Sequence, residues 1–325
     1  MPTWKSSVFS VSPWFNISSM NTLIVIVGPT AVGKTETAIR LAEPIGGEVV
    51  SADSRQIYRR MDIGTAKPSP GQRARIPHHL IDVVEPDQAF SLAQYQAAAC
   101  AAIDDIFARG RQPLLVGGSG LYIRAVTEGL RIPAVPPDAR LRAELEARAA
   151  REGKLALYAE LQAVDPEAAA RIDPRNVRRT IRALEVYRLS GQRFSELGRS
   201  QPPPYRILTI GLSLPRRDLY TRIDARVEAM IAAGLVEETR QLAAHYAWSL
   251  PSMSGLGYRQ IGTYLRGECS LEAAITTIKR DTRRFVRRQA NWFRPGDSRI
   301  LWIDMGAIGE RELLGILRRE LHRVE

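Results

Sequence analysis

The eight residues Gly28-Pro29-Thr30-Ala31-Val32-Gly33-Lys34-Thr35 have the types and spacing of a phosphate-binding loop. Gly28 and Gly33 let backbone N–H groups turn inward as a nest, Lys34 adds a full positive charge, and Thr35 offers a hydroxyl to Mg²⁺. The apolar run Leu23 to Val27 precedes the loop and a helical pattern opens at Glu36, so a helix amino end adds partial positive charge at the same place. Such a P-loop binds a diphosphate or a triphosphate. It leaves open which bond to that phosphate is broken.

Asp53 stands directly behind a second apolar segment, Glu48 to Ser51, in Ser51-Ala52-Asp53-Ser54-Arg55-Gln56. Its carboxylate is therefore expected at the carboxyl end of a sheet beside the P-loop, where open α/β proteins place ligands. It is the best-placed general base, with a Mg²⁺ ligand or a helix N-cap as the other readings. Gly117-Gly118-Ser119-Gly120 follows a further apolar segment in the same way; it allows close backbone approach to a ligand, or is a plain strand-to-helix turn. His78 and His79 have no carboxylate or cysteine at metal-ligand spacing and read as structural. Hydrolytic P-loop proteins carry a strand ending in Asp to hold Mg²⁺, whereas the matching strand here ends in Gly117, which weakens that reading.

The elements that must position these groups alternate along the chain. Apolar segments at Leu23 to Val27, Glu48 to Ser51, Leu80 to Val84, Leu114 to Val116, Ile207 to Leu212 and Ile300 to Ile303 are separated by helical patterns. The expected fold is an α/β, P-loop NTPase-like, mostly parallel sheet flanked by helices. From Ile132 the pattern changes: Pro133, Pro136 and Pro137 punctuate the chain, and helical periodicity without strands runs to about Gly198. The expected organisation is an extension over 1–19, a core over 20–131 and 200–325, and an inserted helical domain over 132–199.

The chain of 325 residues carries a formal charge of +11, which fits a polyanionic partner. Much of that charge falls on two helical patterns. In the first, Asp173 to Ser190, Asp-Pro is read as N-cap and N1; Arg175, Arg178, Arg179 and Arg182 share one side, with Val177, Ile181 and Leu184 opposite. In the second, from Ser270 to about Phe293, Lys279, Arg280, Arg283, Arg284, Arg287 and Arg288 share a half. Asp281 is the single acid in that cluster, so local ion pairs leave the arginines available to phosphates, and nucleic acid is the expected partner. Two cysteines, Cys100 and Cys269, exclude a disulfide framework or a four-ligand zinc site, and Cys100 reads as a buried thiol. No apolar run reaches the ~18 residues that cross a bilayer, and residues 1–19 lack a signal-peptide core, so a cytoplasmic location is expected.

At this point the residues resemble a family, the bacterial tRNA dimethylallyltransferases or isopentenyltransferases. The likeness spans about Thr22 to Arg294 and rests on GPTAVGKT, DSRQIYRRMDIGTAKP, PHHLIDVVEP, VGGSGLYI, RALEV, GLGYRQ and RRQANWFR in order. The resemblance implies transfer of a dimethylallyl group from dimethylallyl diphosphate to N6 of the adenosine 3′-adjacent to the anticodon (position 37), in tRNAs reading codons that begin with U, with Mg²⁺ as cofactor. It implies catalytic Asp53, Thr35 and Ser119, the last standing where the family commonly has Thr. Gly28, Thr30, Ala31, Val32, Gly33, Lys34, Thr35, Arg222 and Arg226 would bind the diphosphate, with Thr35 on the metal.

The tRNA anticodon stem-loop would meet Asp53, Ser54, Arg55, Gln56, Ser119, Arg140, Arg178, Arg179, Thr180, Ile181, Arg182, Gly257, Tyr258 and Arg259. A monomer without membrane contact is expected. Where many relatives read His-Pro-Asn-Asp, this chain has Asp173-Pro174-Arg175-Asn176, and it lacks the cysteines of the eukaryotic relatives' zinc finger. The competing readings are an isopentenyltransferase of free adenine nucleotides, a P-loop small-molecule kinase, and a non-catalytic nucleic-acid-binding module.

Overall fold

The computed structural model describes residues 21–197, 200–308 and 310–322; the expected extension over 1–19 and the boundary near Gly198 lie outside them. The chain divides into two compact units. Among the described residues, the first comprises 21–88, 101–120 and 205–322, and the second comprises Ala89–Cys100 and Leu121–Pro204.

The first unit is built on one sheet of β1 (Thr22–Val27), β2 (Gly47–Ala52), β3 (His78–His79), β4 (Gln112–Gly117), β5 (Arg206–Ser213) and β6 (Ile300–Asp304). Its order is β3-β2-β4-β1-β5-β6 and every pairing is parallel. All six residues of β1 and of β4 are buried, which is why these segments read as continuous apolar runs rather than alternating ones. Ile24 pairs with Leu114 on one side and Leu208 on the other. Asp53 and the Gly117-Gly118-Ser119 turn consequently emerge at the same edge as the P-loop.

The close approach of β4 to β2 requires glycine at position 117, since a Cβ there would stand 2.1 Å from the Ala52 carbonyl oxygen. The third strand departs from expectation. It is the pair His78–His79, and the run Leu80 to Val84 is not a strand because Leu80 and Asp82 adopt left-handed φ of 60° and 59°.

The helices, in chain order, are α1 (Lys34–Ala42), α2 (Pro70–Arg75), α3 (Leu92–Ala108), α4 (Gly120–Thr127), α5 (Ala139–Glu152), α6 (Lys154–Val164), α7 (Pro166–Arg171), α8 (Val177–Ser190), α9 (Phe194–Leu197), α10 (Arg216–Ala232), α11 (Leu235–His245), α12 (Tyr258–Leu265), α13 (Leu271–Gln289) and α14 (Glu310–His322). None is long and apolar enough to cross a membrane among the described residues.

The second unit is helical, with Leu145, Leu157, Leu161, Ile172, Ile181 and Leu184 in its core. It begins at Leu121 and takes in 89–100 as well, rather than starting at Ile132. The reason is packing: Tyr122 stacks on Tyr95 at 3.6 Å between centroids, and Gln96 Nε2 donates to the carbonyls of Ala125 (2.6 Å) and Leu130 (2.9 Å). Helix α8 starts at Val177, capped by Asn176, whose side chain accepts from the Arg179 amide. Asp173 instead closes a turn on Arg175, so Asp-Pro is not the cap of this helix.

Candidate active site

The P-loop leaves β1 at Gly28 and reverses through left-handed Ala31 (φ 65°) and Gly33 (φ 108°) into α1. Gly33 offers no side-chain cap, so the first-turn amides of α1 face the loop unclaimed by a capping residue. Lys34 Nζ folds back over the loop and donates to the carbonyls of Gly28 (3.0 Å) and Pro29 (2.8 Å). Burial, then the Arg226 guanidinium, push Lys34 down to about 8, while the Asp53 carboxylate pulls the other way. Burial also draws Arg226 below its ordinary value, opposed by Asp53. Lys34, Arg226 and Asp53 thus form one electrostatic group, although they are far apart in sequence.

Asp53 follows β2, and its Oδ1 accepts the Arg55 amide at 2.9 Å, which fixes the carboxylate in a tight turn. The Ser119 hydroxyl accepts the Ser54 amide at 3.0 Å and lies 3.3 Å from the Ser54 hydroxyl, while the Ser119 amide donates to Ala52 O. Two strand ends are thereby stitched together at the site. Gln289 ties in a third: its Oε1 accepts the Thr30 amide (2.9 Å), and its Nε2 donates to Gly118 O (3.2 Å). The sequence reading did not single out Gln289, although it lies within the quoted RRQANWFR run; a glutamine beside two arginines carries no chemical signal until its two contacts are seen.

Beside the P-loop lies a cavity of about 340 Å³, whose lining does not include Lys34. Thr30, Asp53, Ser119, Arg226, Arg288 and Gln289 supply polar lining. Ile223, Val227 and Met230 of α10, with Ile278 and Phe285 of α13, supply apolar lining. The spacing of these apolar residues was visible, but it reads as ordinary helix packing. Arg222, one turn before Arg226, instead donates to Val32 O at 3.4 Å and is not in the lining.

Several expected contact residues are otherwise engaged. Arg55 donates to Pro251 O (2.6 Å), and Gln56 Nε2 donates to the carbonyls of Thr65 and Ala66. Gly257 and Tyr258 line the cavity from buried positions, whereas Arg259 is exposed and pairs with Asp281 at 3.0 Å.

The basic helices are less free than their patterns imply. On α13, Lys279 and Arg283 pair with Glu228 and Asp224 of α10, and Arg280 and Arg284 reach Asp281. The expectation that these cations lack partners is corrected by the second helix packed beside them.

In the second unit, Arg182 pairs with the fully buried Glu185 (2.6 Å) and donates to Val135 O (2.9 Å). Arg175 is held by Asp173, and Thr180 and Ile181 are buried, so none of these four presents a free side chain. Arg140, Arg178 and Arg179 are exposed and, like Arg288, have no ion pair among the described residues. His79 contacts buried Glu48 at 2.8 Å, in keeping with a structural histidine. Cys100 is half-buried rather than fully enclosed.

No cluster of three or more His, Cys, Asp or Glu side chains at metal-binding distance occurs among the described residues. The half-buried Thr35 hydroxyl in the first turn of α1 is the kind of single protein donor that suits Mg²⁺, which keeps most of its shell as water and phosphate oxygen.

Comparison with known proteins adds a lineage to this geometry. The family described as IPP transferase matches residues 56–296, and the one described as isopentenyl transferase matches residues 21–78. The chain is 60% identical over 273 residues to the tRNA dimethylallyltransferase of Roseiflexus sp. (strain RS-1), covering 84% of this chain and 90% of that protein. It is 59% identical to the tRNA dimethylallyltransferase of Chloroflexus aggregans, covering 87% of this chain and 96% of the relative.

Among solved structures, the full-length tRNA isopentenylpyrophosphate transferase of Bacillus halodurans superimposes with a TM-score of 0.70 at 41% identity, covering 93% of this chain and 97% of that one. A eukaryotic dimethylallyltransferase captured acting on tRNA superimposes with a TM-score of 0.80 at 26% identity, over 93% and 80% of the two chains.

Proposed function

Because the chain belongs to the IPP transferase family, we propose that it transfers a dimethylallyl group from dimethylallyl diphosphate to N6 of the adenosine 3′-adjacent to the anticodon (position 37). The acceptors are cytoplasmic tRNAs reading codons that begin with U, and diphosphate leaves. The observation that carries this reading is the cavity, in which the Asp53 carboxylate, the half-buried Arg226 and an apolar wall share one pocket beside the P-loop. The apolar wall suits a five-carbon prenyl chain, which has no polar group to satisfy.

The P-loop amides and Lys34, beside the cavity, and Arg226, in its wall, hold the diphosphate and take up the negative charge that grows on it as the carbon–oxygen bond breaks. Mg²⁺, bound through Thr35 and phosphate oxygens, would neutralise part of the same charge. The prenyl chain lies against Ile223, Val227 and Phe285, away from water that would otherwise capture the allylic carbon. An adenine amine is a weak nucleophile because its lone pair is delocalised into the ring. Asp53 accepts its proton as the new carbon–nitrogen bond forms, and Ser119 keeps the turn that carries Asp53 in place.

The acceptor base must leave its stack to reach the carboxylate. Arg140, Arg178 and Arg179 are exposed cations for the RNA backbone, as is Arg288 at the cavity.

The test is label transfer. Purified protein with Mg²⁺ and labelled dimethylallyl diphosphate is offered unmodified tRNA, AMP or ATP separately, and nucleosides are analysed. Label on N6 of a tRNA adenosine alone is the expected result. Label on the free nucleotide, or ATP turnover with a small acceptor and no prenyl transfer, would overturn it.

A further inference from the structure

Glu238, on α11, does not line the cavity, yet its carboxylate has four donors. It accepts the consecutive amides of Asp62 (2.9 Å), Ile63 (2.8 Å) and Gly64 (3.0 Å), and the Tyr258 hydroxyl at 2.6 Å. Four charge-assisted bonds use the full accepting capacity of one carboxylate. Three successive amides converging on an anion form a nest, here filled by the protein's own side chain.

The loop so gripped is tightly wound, with the Ala66 amide on Ile63 O and the Lys67 amide on Asp62 O. It presses on Tyr258 so closely that a Cβ at Gly64 would lie 2.4 Å from the phenol ring. Both partners are cavity walls: Gly64 and Thr65 come from the loop, Gly257 and Tyr258 from the start of α12. The loop also reaches the catalytic turn, since the carbonyls of Thr65 and Ala66 receive Gln56 Nε2, three residues beyond Asp53. The phosphate end of the cavity is organised separately, by Gln289 between Thr30 and Gly118.

We propose that Glu238 is a positioning residue for the acceptor half of the cavity: by holding the 62–66 loop against Tyr258, it sets the walls between which the adenine meets Asp53, without acting on the diphosphate half. This assignment rests on the proposed function.

The experiment compares wild type with Glu238→Gln, which keeps the shape but turns an N–H donor toward groups that are themselves donors. The expected result is a rise in KM for tRNA with a fall in kcat, together lowering kcat/KM by roughly tenfold or more. The Kd for dimethylallyl diphosphate, measured directly, stays within about twofold, since ground-state donor binding is untouched. Amide hydrogen exchange at residues 62–64 becomes faster. Tyr258→Phe, which removes one of the four bonds, moves the same constants less and carries the reading if the first variant unfolds.

Unchanged tRNA kinetics in folded Glu238→Gln overturns the proposal, and so does a parallel loss of donor affinity, which would mark general loosening. The exchange measurement needs no substrate, so the two failures are distinguishable. A wild type that prenylates no tRNA counts against the function, whereas unchanged exchange at 62–64 counts against Glu238.

Discussion

Lys34 holds its proton weakly for a lysine, because burial and Arg226 bring it down to about 8. The charged form attracts the diphosphate. Affinity for dimethylallyl diphosphate should therefore be full below about pH 8 and decline as the pH rises through that value. The bound anion favours the charged form, so binding slightly above that pH should take up a proton. Calorimetry in two buffers of different ionisation heat measures the uptake, and heats independent of buffer would contradict it. Asp53 answers to a different measurement. Asp53→Ala should lower single-turnover prenyl transfer by ~10²–10⁴-fold, the usual worth of a positioned base, and leave tRNA binding nearly unchanged. Near-normal turnover would mean that another group takes the amine proton.

Helices and strands decide which side chains remain available. Charge reversal at Arg178 or Arg179, both exposed on α8, should weaken tRNA binding and reduce the slope of log affinity against log salt by about 1 for each phosphate no longer neutralised, with no change in melting temperature. Arg182→Ala should behave in the opposite way. It leaves Glu185, which is 0% exposed, with Arg142 and the Asp138 amide but without its second arginine, and should cost about 1–3 kcal/mol in denaturant unfolding.

The sequence placed both arginines on one polar arc, and that arc is real. It could not show that Glu185, three residues on, is turned inward to meet Arg182, because charge and periodicity say nothing about where a carboxylate finds its partner. For the same reason the cations of α13 read as unpaired when α10 supplies Asp224 and Glu228. The P-loop, Asp53 and Ser119 were legible because each sits at a fixed offset from an apolar strand. Gln289, Glu238 and the apolar wall were not, since their roles arise only from packing. In the sheet, Gly117→Ala forces a methyl against Ala52 O between β4 and β2 and should cost about 1–3 kcal/mol, read as a lowered denaturation midpoint.

For the whole molecule, the order of strands in space differs from their order along the chain. β1 lies between β4 and β5, and β5 is paired on its far side by β6. The helical unit over Leu121–Pro204, by contrast, is assembled mainly from neighbouring segments. On a ribosome these two arrangements mature at different times. The apolar edge of β1 finishes emerging roughly 180 residues before β5 is made, a wait of about 10–35 s at 5–20 residues per second. A nascent chain arrested before Arg206 should hold a protease-resistant helical unit beside a β1 that is still cleavable, and release past Asp304 should protect both. Until then the most water-averse strand of the protein has no partner on one side, and its safe passage depends on the speed of translation and on whatever chaperone shields it.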